Sequence, residues 1–126
     1  MKWDWLKERI QTLGLTQAQF ADRIDWETTR VSELINGKRD FPGRKLKKAA
    51  QVLDVFFQDL SDYNNDHTTR IPEPIDHEKR LLIEQSVAKA LQKNKVFLTT
   101  GQQEEIIHDL YTRAVWAKDE ENKKAS

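Results

Sequence analysis

Residues 16–37 read TQAQFADRIDWETTRVSELING, and this stretch leaves little choice of local structure. Thr16 is a good helix N-cap, because its hydroxyl can accept a hydrogen bond from a free N–H of the first turn. Gln19, three places on, completes a capping box. Ala18, Phe20, Ala21 and Ile24 fall on or beside one helical face. Asp25 then stands where the chain must turn sharply, and Asp tolerates a left-handed backbone better than most residues that carry a side chain. Trp26 is expected as a buried wedge between two helices. Glu27, Thr28 and Thr29 open the second helix, whose buried side would be Val31, Leu34 and Ile35. Gly37 after Asn36 is a helix stop of the left-handed type.

Two short helices joined by such a turn, with Lys38 and Arg39 immediately after them, resemble the helix-turn-helix of the Cro and phage-repressor (Xre) family. The residues that carry the likeness are Leu15-Thr16-Gln17, Phe20-Ala21, Ile24 and the run from Val31 through Ser32, Glu33, Leu34, Ile35, Asn36, Gly37 and Lys38 to Arg39. It covers roughly the first sixty residues. Two positions depart from the family pattern: Asp25, where Gly is common, and Trp26, where a smaller aliphatic residue is common. The resemblance implies a five-helix, lambda-repressor-like domain that docks the second helix of the motif in the major groove of double-stranded DNA.

The formal net charge of the 126 residues is zero, so the distribution of charge matters more than its sum. Lys38, Arg39, Arg44, Lys45, Lys47 and Lys48 face a single acid, Asp40, which leaves five positive charges in excess within residues 38–48. The positive field is local, and it follows the motif. There is no cysteine, hence no disulfide framework and no thiol metal site. No apolar run approaches the ~20 residues needed to cross a bilayer, and the N-terminus alternates charge with apolar residues unlike a signal peptide. A cytoplasmic protein with no membrane contact is expected.

Along the chain, residues 2–13 read as a helix with Trp3, Leu6, Ile10 and Leu13 on one stripe and Gly14 as its stop. Trp5 lies off that stripe, either as a partly covered surface aromatic or as a subunit contact. A loop through Phe41 and Pro42 precedes a helix from about 43 to 54, with Leu46, Ala49, Ala50 and Leu53 inward. A last short helix places Phe56 and Leu60 against the core. These elements make residues 1–62 a DNA-binding domain. Residues 63–75, with Asn64-Asn65-Asp66 and two prolines, read as a linker. Residues 76–126 read as a helical pair for oligomerisation or partner binding. Its first helix starts at an Asp76 cap and carries Leu81, Ile83, Val87, Ala88, Ala90 and Leu91, with Leu82 outside the stripe. Its second starts at Thr100, boxed by Gln103, and carries Ile106, Ile107, Leu110, Tyr111 and Ala114, with Trp116 on the opposite side. The charged tail from Lys118 is expected to fray. The whole is an all-α chain.

Two helices of this size cannot bury both faces against each other. The pair is therefore expected to associate with the same pair of a second chain, through Ile83, Val87, Leu91, Ile106, Leu110 and Trp116. The alternative is that it folds back on the N-terminal domain. On the DNA side, the resemblance assigns Thr28, Thr29, Ser32 and Glu33 to base edges, where Thr can bond several bases and Glu33 can accept from a cytosine amino group. Arg30 can serve a guanine, a phosphate or an ion pair with Glu33. Gln17 is a phosphate contact by family position, and Lys38, Arg39, Arg44 and Lys45 are candidate phosphate clamps.

No enzyme constellation is present, and no cofactor is expected. The four glycines are scattered, so no loop cradles a phosphate, and His67, His77 and His108 make no metal spacing. Residues 76–126 are too short and too helical for the self-cleaving Ser/Lys peptidase domain carried by larger phage-repressor relatives. The expected function is sequence-specific transcription regulation, as a phage- or prophage-type repressor on a palindromic operator. A second reading is an antitoxin that neutralises a toxin protein through residues 76–126 and autoregulates its operon. A third is a protein-binding adaptor without DNA contact, favoured by the neutral net charge and Glu33 and opposed by the basic run.

Overall fold

The computed structural model describes the backbone of residues 1–125 and the side chains of residues 1–115. Trp116, expected at an oligomer contact, lies outside the described side chains. The described residues are all helical, with no strand: α1 (Asp4–Thr12), α2 (Gln17–Arg23), α3 (Thr28–Ile35), a 3-10 turn (Gly43–Lys45), α4 (Leu46–Leu53), α5 (Phe57–Asn64), α6 (His77–Lys93) and α7 (Thr100–Ala125). They form two compact units, Met1–Ile75 and Asp76–Ser126.

In the first unit each short helix is closed by a defined cap. Thr16 and Gln19 form the expected capping box in both directions: the Gln19 N–H donates to Thr16 Oγ1 at 3.1 Å and the Thr16 N–H to Gln19 Oε1 at 2.9 Å. The exits share one geometry. After α2, α3 and α4 the chain passes through a left-handed residue: Asp25, Gly37 and Asp54, at φ +54°, +77° and +58°. At each, the next N–H reaches back to a carbonyl five residues earlier, as Trp26 to Ala21 (2.8 Å), Lys38 to Glu33 (2.9 Å) and Val55 to Ala50 (3.1 Å). Helices of two turns, stopped this way, present one apolar side each to a common centre.

That centre contains Trp3, Leu6, Ile10, Phe20, Ile24, Val31, Leu34, Leu53 and Leu60, all fully buried. Burying each large side chain is worth ~1.5–3 kcal/mol, and the eleven residues expected on the inward stripes of α1, α3 and α4 all lie in this core or pack against it. The details differ from expectation at two places, Trp3 and Trp26, while Trp5 takes the first of its two expected roles as a partly covered aromatic. Trp3 precedes α1 rather than lying within it, and is buried nonetheless. Trp26 is half-buried and is no wedge: its ring lies against Phe41, centroid to centroid 5.8 Å, beside the core. Trp5 also turns to this domain, packing at 5.7 Å on both Trp3 and Tyr63, with its Nε1 buried and without a hydrogen-bond partner.

The expected linker from residue 63 needs correction. α5 continues to Asn64, and both Tyr63 and Asn64 are buried in the first unit. Asn64 bonds the backbone of Phe41 twice, accepting from its N–H at 2.8 Å and donating to its carbonyl at 3.0 Å. Lys2 donates to the Asn64 carbonyl at 2.9 Å and pairs with Asp40 (3.2 Å) and Asp66 (2.9 Å), and Trp3 Nε1 donates to Asp40 at 3.0 Å. The loop that follows α3 is thus fixed from below by the N-terminus and the end of α5.

The second unit is a helical pair with little core. Asp76 caps α6 by accepting from the Lys79 N–H at 3.1 Å, and its own N–H donates to the Tyr111 hydroxyl at 2.8 Å. Arg80 bridges Glu84 on α6 and Glu104 on α7 at 2.8–3.0 Å. The capping box of α7 sits one residue earlier than expected: Thr99 pairs with Gln102, while Gln103 Nε2 donates to the Leu98 carbonyl. Among the described residues only Val87 and Ile107 are buried apolar residues here. Val87, expected at an oligomer contact, is therefore enclosed within the pair. Ile83 and Leu91 are half-buried, and Leu81, Leu82, Ile106 and Leu110 are exposed by 52, 62, 37 and 41%.

Candidate nucleic-acid interface

Val31, Leu34 and Ile35 point α3 into the core, so its remaining side is forced outward by the 100° turn per residue. Thr28 and Thr29 are exposed, and Ser32, Glu33 and Arg30 half-exposed. This outward side begins at the turn made by Asp25. A left-handed backbone costs an Asp on the order of 1 kcal/mol, and lysines of the 3-10 turn and α4 offset it. The Asp25 carbonyl accepts from Lys45 Nζ at 2.5 Å, and its carboxylate is ion-paired with Lys48. The hydrogen bond from Lys48, and the charges of Lys48 and Lys45, hold the Asp25 carboxyl below the ordinary carboxylate range. Lys2, on the far side of the following loop, is opposed by partial burial but outweighed by Asp66 and Asp40, so that its ammonium is held above the ordinary lysine range.

Beyond α3, Glu33 is the centre of an ion cluster. Its Oε2 accepts from Arg39 Nε at 2.8 Å, lies 2.8 Å from Arg39 Nη2 in the same ion pair, and stands 3.6 Å from Arg30 Nη1. Arg30 also stands 4.0 Å from Glu27. Arg30, Arg39, Arg44 and Lys45 line one open cleft of about 650 Å³ with Trp26, Pro42 and the acids Asp22, Asp25 and Glu27. Gln17 and Lys38 lie outside that cleft. The six cations of the basic run therefore divide. Arg39, Lys45 and Lys48 are held by protein oxygens, whereas Lys38, Arg44 and Lys47 are exposed with no ion-pair partner among the described residues. Sequence reasoning did not identify Asn64, Lys2 and Asp40, which fix the loop, nor the role of Asp25 as the anchor of two lysines. The Asn64-Asn65-Asp66 triplet carries the local signature of a turn, and only its distant partner distinguishes it.

No group of three or more metal-ligating side chains occurs among the described residues, and none of their helices is long and apolar enough to cross a membrane.

Residues 6–60 match the family described as helix-turn-helix. With the cap, turn and outward helix face above, this domain is a helix-turn-helix of the Cro and phage-repressor type. The chain is accordingly a DNA-binding transcriptional regulator by class. No curated protein and no solved structure matches it.

Proposed function

We propose that this chain is a repressor of the phage or prophage type, which binds a palindromic operator in the cytoplasm as a homodimer held by residues 76–126. The outward side of α3 carries this reading: Thr28, Thr29, Ser32 and the Arg30-Glu33-Arg39 cluster are turned out of the core, and Lys38 and Arg44 in the segment that follows are exposed cations. Side chains that can hydrogen-bond base edges, flanked by cations that can neutralise phosphate, are what a helix in the major groove requires. Gln17 completes the backbone contacts, whereas Lys45, expected beside it, is turned to the Asp25 carbonyl. Repression follows from occupying a promoter and needs no chemistry of the protein's own.

The dimer is supported by the second unit. A pair that, among its described residues, buries only Val87 and Ile107 and leaves Leu81, Leu82, Ile106 and Leu110 exposed has apolar surface that a second copy would cover. Two copies read two half-sites about one helical turn apart. Selection from randomised DNA duplexes should return a palindromic consensus, and sedimentation at micromolar concentration should give a full-length dimer but a monomeric fragment 1–75. A full-length monomer overturns the dimer and places the antitoxin reading first, with a toxin protein on the exposed apolar side chains.

A further inference from the structure

The Glu33 cluster decides how Arg39 meets DNA. An arginine has two donor edges, one side-on through Nε and Nη2 and one end-on through Nη1 and Nη2. Glu33 takes the side-on edge, since one carboxylate oxygen accepts from Nε at 2.8 Å and lies 2.8 Å from Nη2 in the same ion pair. The end-on edge has no partner among the described residues. Glu33 lies on the side of α3 opposite Val31 and Leu34, which are fully buried, and so at the centre of the outward face. Arg39 is folded back onto that face from the loop, and the loop is itself fixed through Asp40 and Phe41 by Trp3, Lys2 and Asn64. Both ends of the side chain are thus constrained before DNA arrives, which lowers the ordering entropy an arginine otherwise loses on binding.

We propose that Arg39 is a base-reading residue rather than a phosphate clamp, presenting its end-on edge to O6 and N7 of a guanine, and that Glu33 is the positioning residue that aims it. A phosphate needs only a positive charge within reach, which the exposed Lys38 and Arg44 already supply. A guanine needs two parallel donors at a fixed angle, and that is the edge left open here. Glu33 would also repel phosphate were it not neutralised by Arg39 and Arg30. This assignment rests on the sequence-specific DNA-binding reading above.

The test compares consensus sequences selected from randomised duplexes by the full-length wild type, Arg39→Lys and Glu33→Gln, with melting temperatures measured alongside. Arg39→Lys keeps the charge and removes the fork. It should abolish preference at one G·C position per half-site and weaken the selected site by about five- to hundredfold, the range of one bidentate base contact. Affinity for a duplex lacking the site should stay within about twofold. Glu33→Gln should lose preference at the same position with Arg39 intact, a result that loss of fold alone would not give. If Arg39→Lys leaves the consensus unchanged, or weakens all sequences alike, Arg39 contacts phosphate and the proposal fails while sequence-specific binding stands. If Glu33→Gln alters a different position, Glu33 reads a base by itself and the positioning role fails. If the wild type selects no consensus, the proposal and the reading beneath it fall together.

Discussion

Replacing Asn64 by Ala should destabilise the N-terminal domain more than any other single polar truncation in it. The side chain is 5% exposed and its two bonds, at 2.8 and 3.0 Å, go to the N–H and the carbonyl of Phe41, itself 4% exposed. Alanine removes both bonds and leaves both backbone groups buried and unpaired. A net hydrogen bond is worth about 1 kcal/mol, and an unsatisfied buried group costs about 1–3 kcal/mol. Two such groups that partly relax towards water give a loss on the order of 3 kcal/mol. For a domain of this size, 1 kcal/mol shifts Tm by about 4–8 °C, so the melting point should fall by about 12–24 °C. Tryptophan fluorescence reads this unit, because Trp3, Trp5 and Trp26 all lie within it. Below the new melting point DNA binding should also weaken, since the loop carrying Lys38 and Arg39 is no longer pinned at Phe41. A fall in Tm under about 3 °C, with DNA affinity unchanged, would refute the claim that Asn64 holds this loop.

Other consequences are more local. Thr16→Ala removes the acceptor of the Gln19 N–H in the α2 capping box, leaving the reciprocal bond from the Thr16 N–H to Gln19, and should lower unfolding free energy by about 1 kcal/mol in urea titration. The Asp25 carboxyl is held low by Lys48 and Lys45, so its contribution is present above the unfolded carboxylate pKa and lost as pH falls through the lower folded value. Stability curves of the wild type and Asp25→Asn should therefore differ at neutral pH and converge in acid, and curves that stay parallel would exclude the pairing. Changing Arg44 to Ala should flatten the salt dependence of DNA binding by about one unit on any sequence. Lys48→Ala should leave that slope nearly unchanged, because the Lys48 charge is already matched by Asp25.

The first domain was legible where its instructions are local. Thr16 and Gln19 are three residues apart, Gly37 ends α3 at the expected left-handed position, and Asp25 adopts the positive φ its place in the turn demanded. What was not legible depends on partners far along the chain. Asn64 looks like a turn residue until Phe41, 23 positions away, is brought beside it. Trp26 could not be placed from its own neighbours, because the ring it meets, Phe41, belongs to the loop after α3. At residues 99–103, TTGQQ contains two overlapping capping boxes, and nothing local chooses between Thr99 and Thr100. In α6 the apolar spacing was visible, but which apolar residues are covered is a property of the pair. Val87 is enclosed and Leu81 is not, although both lay on the expected stripe.

The neutral net charge, which alone argues against a nucleic-acid binder, has a structural explanation in how the charges are used. Three acids at and beside the motif do not oppose DNA as free anions. Asp25 is matched by Lys48, Glu33 by Arg39 and Arg30, and Asp40 by Lys2 and Trp3. Each pairing does structural work at the place where it occurs: it offsets strain in the turn, orients an arginine on the recognition face, or ties the loop to the core. Removing these paired charges from account, with Lys45 held by the Asp25 carbonyl, leaves Lys38, Arg44 and Lys47 as the cations of the basic run free to meet phosphate. A grip of about three phosphates per copy is weak by the standard of counterion release, where each neutralised phosphate contributes about 0.9 to the salt slope. Such a domain holds a specific site only if its orientation is precise and its grip is doubled. The fixed loop supplies the first requirement, and a second copy joined through residues 76–126 would supply the other.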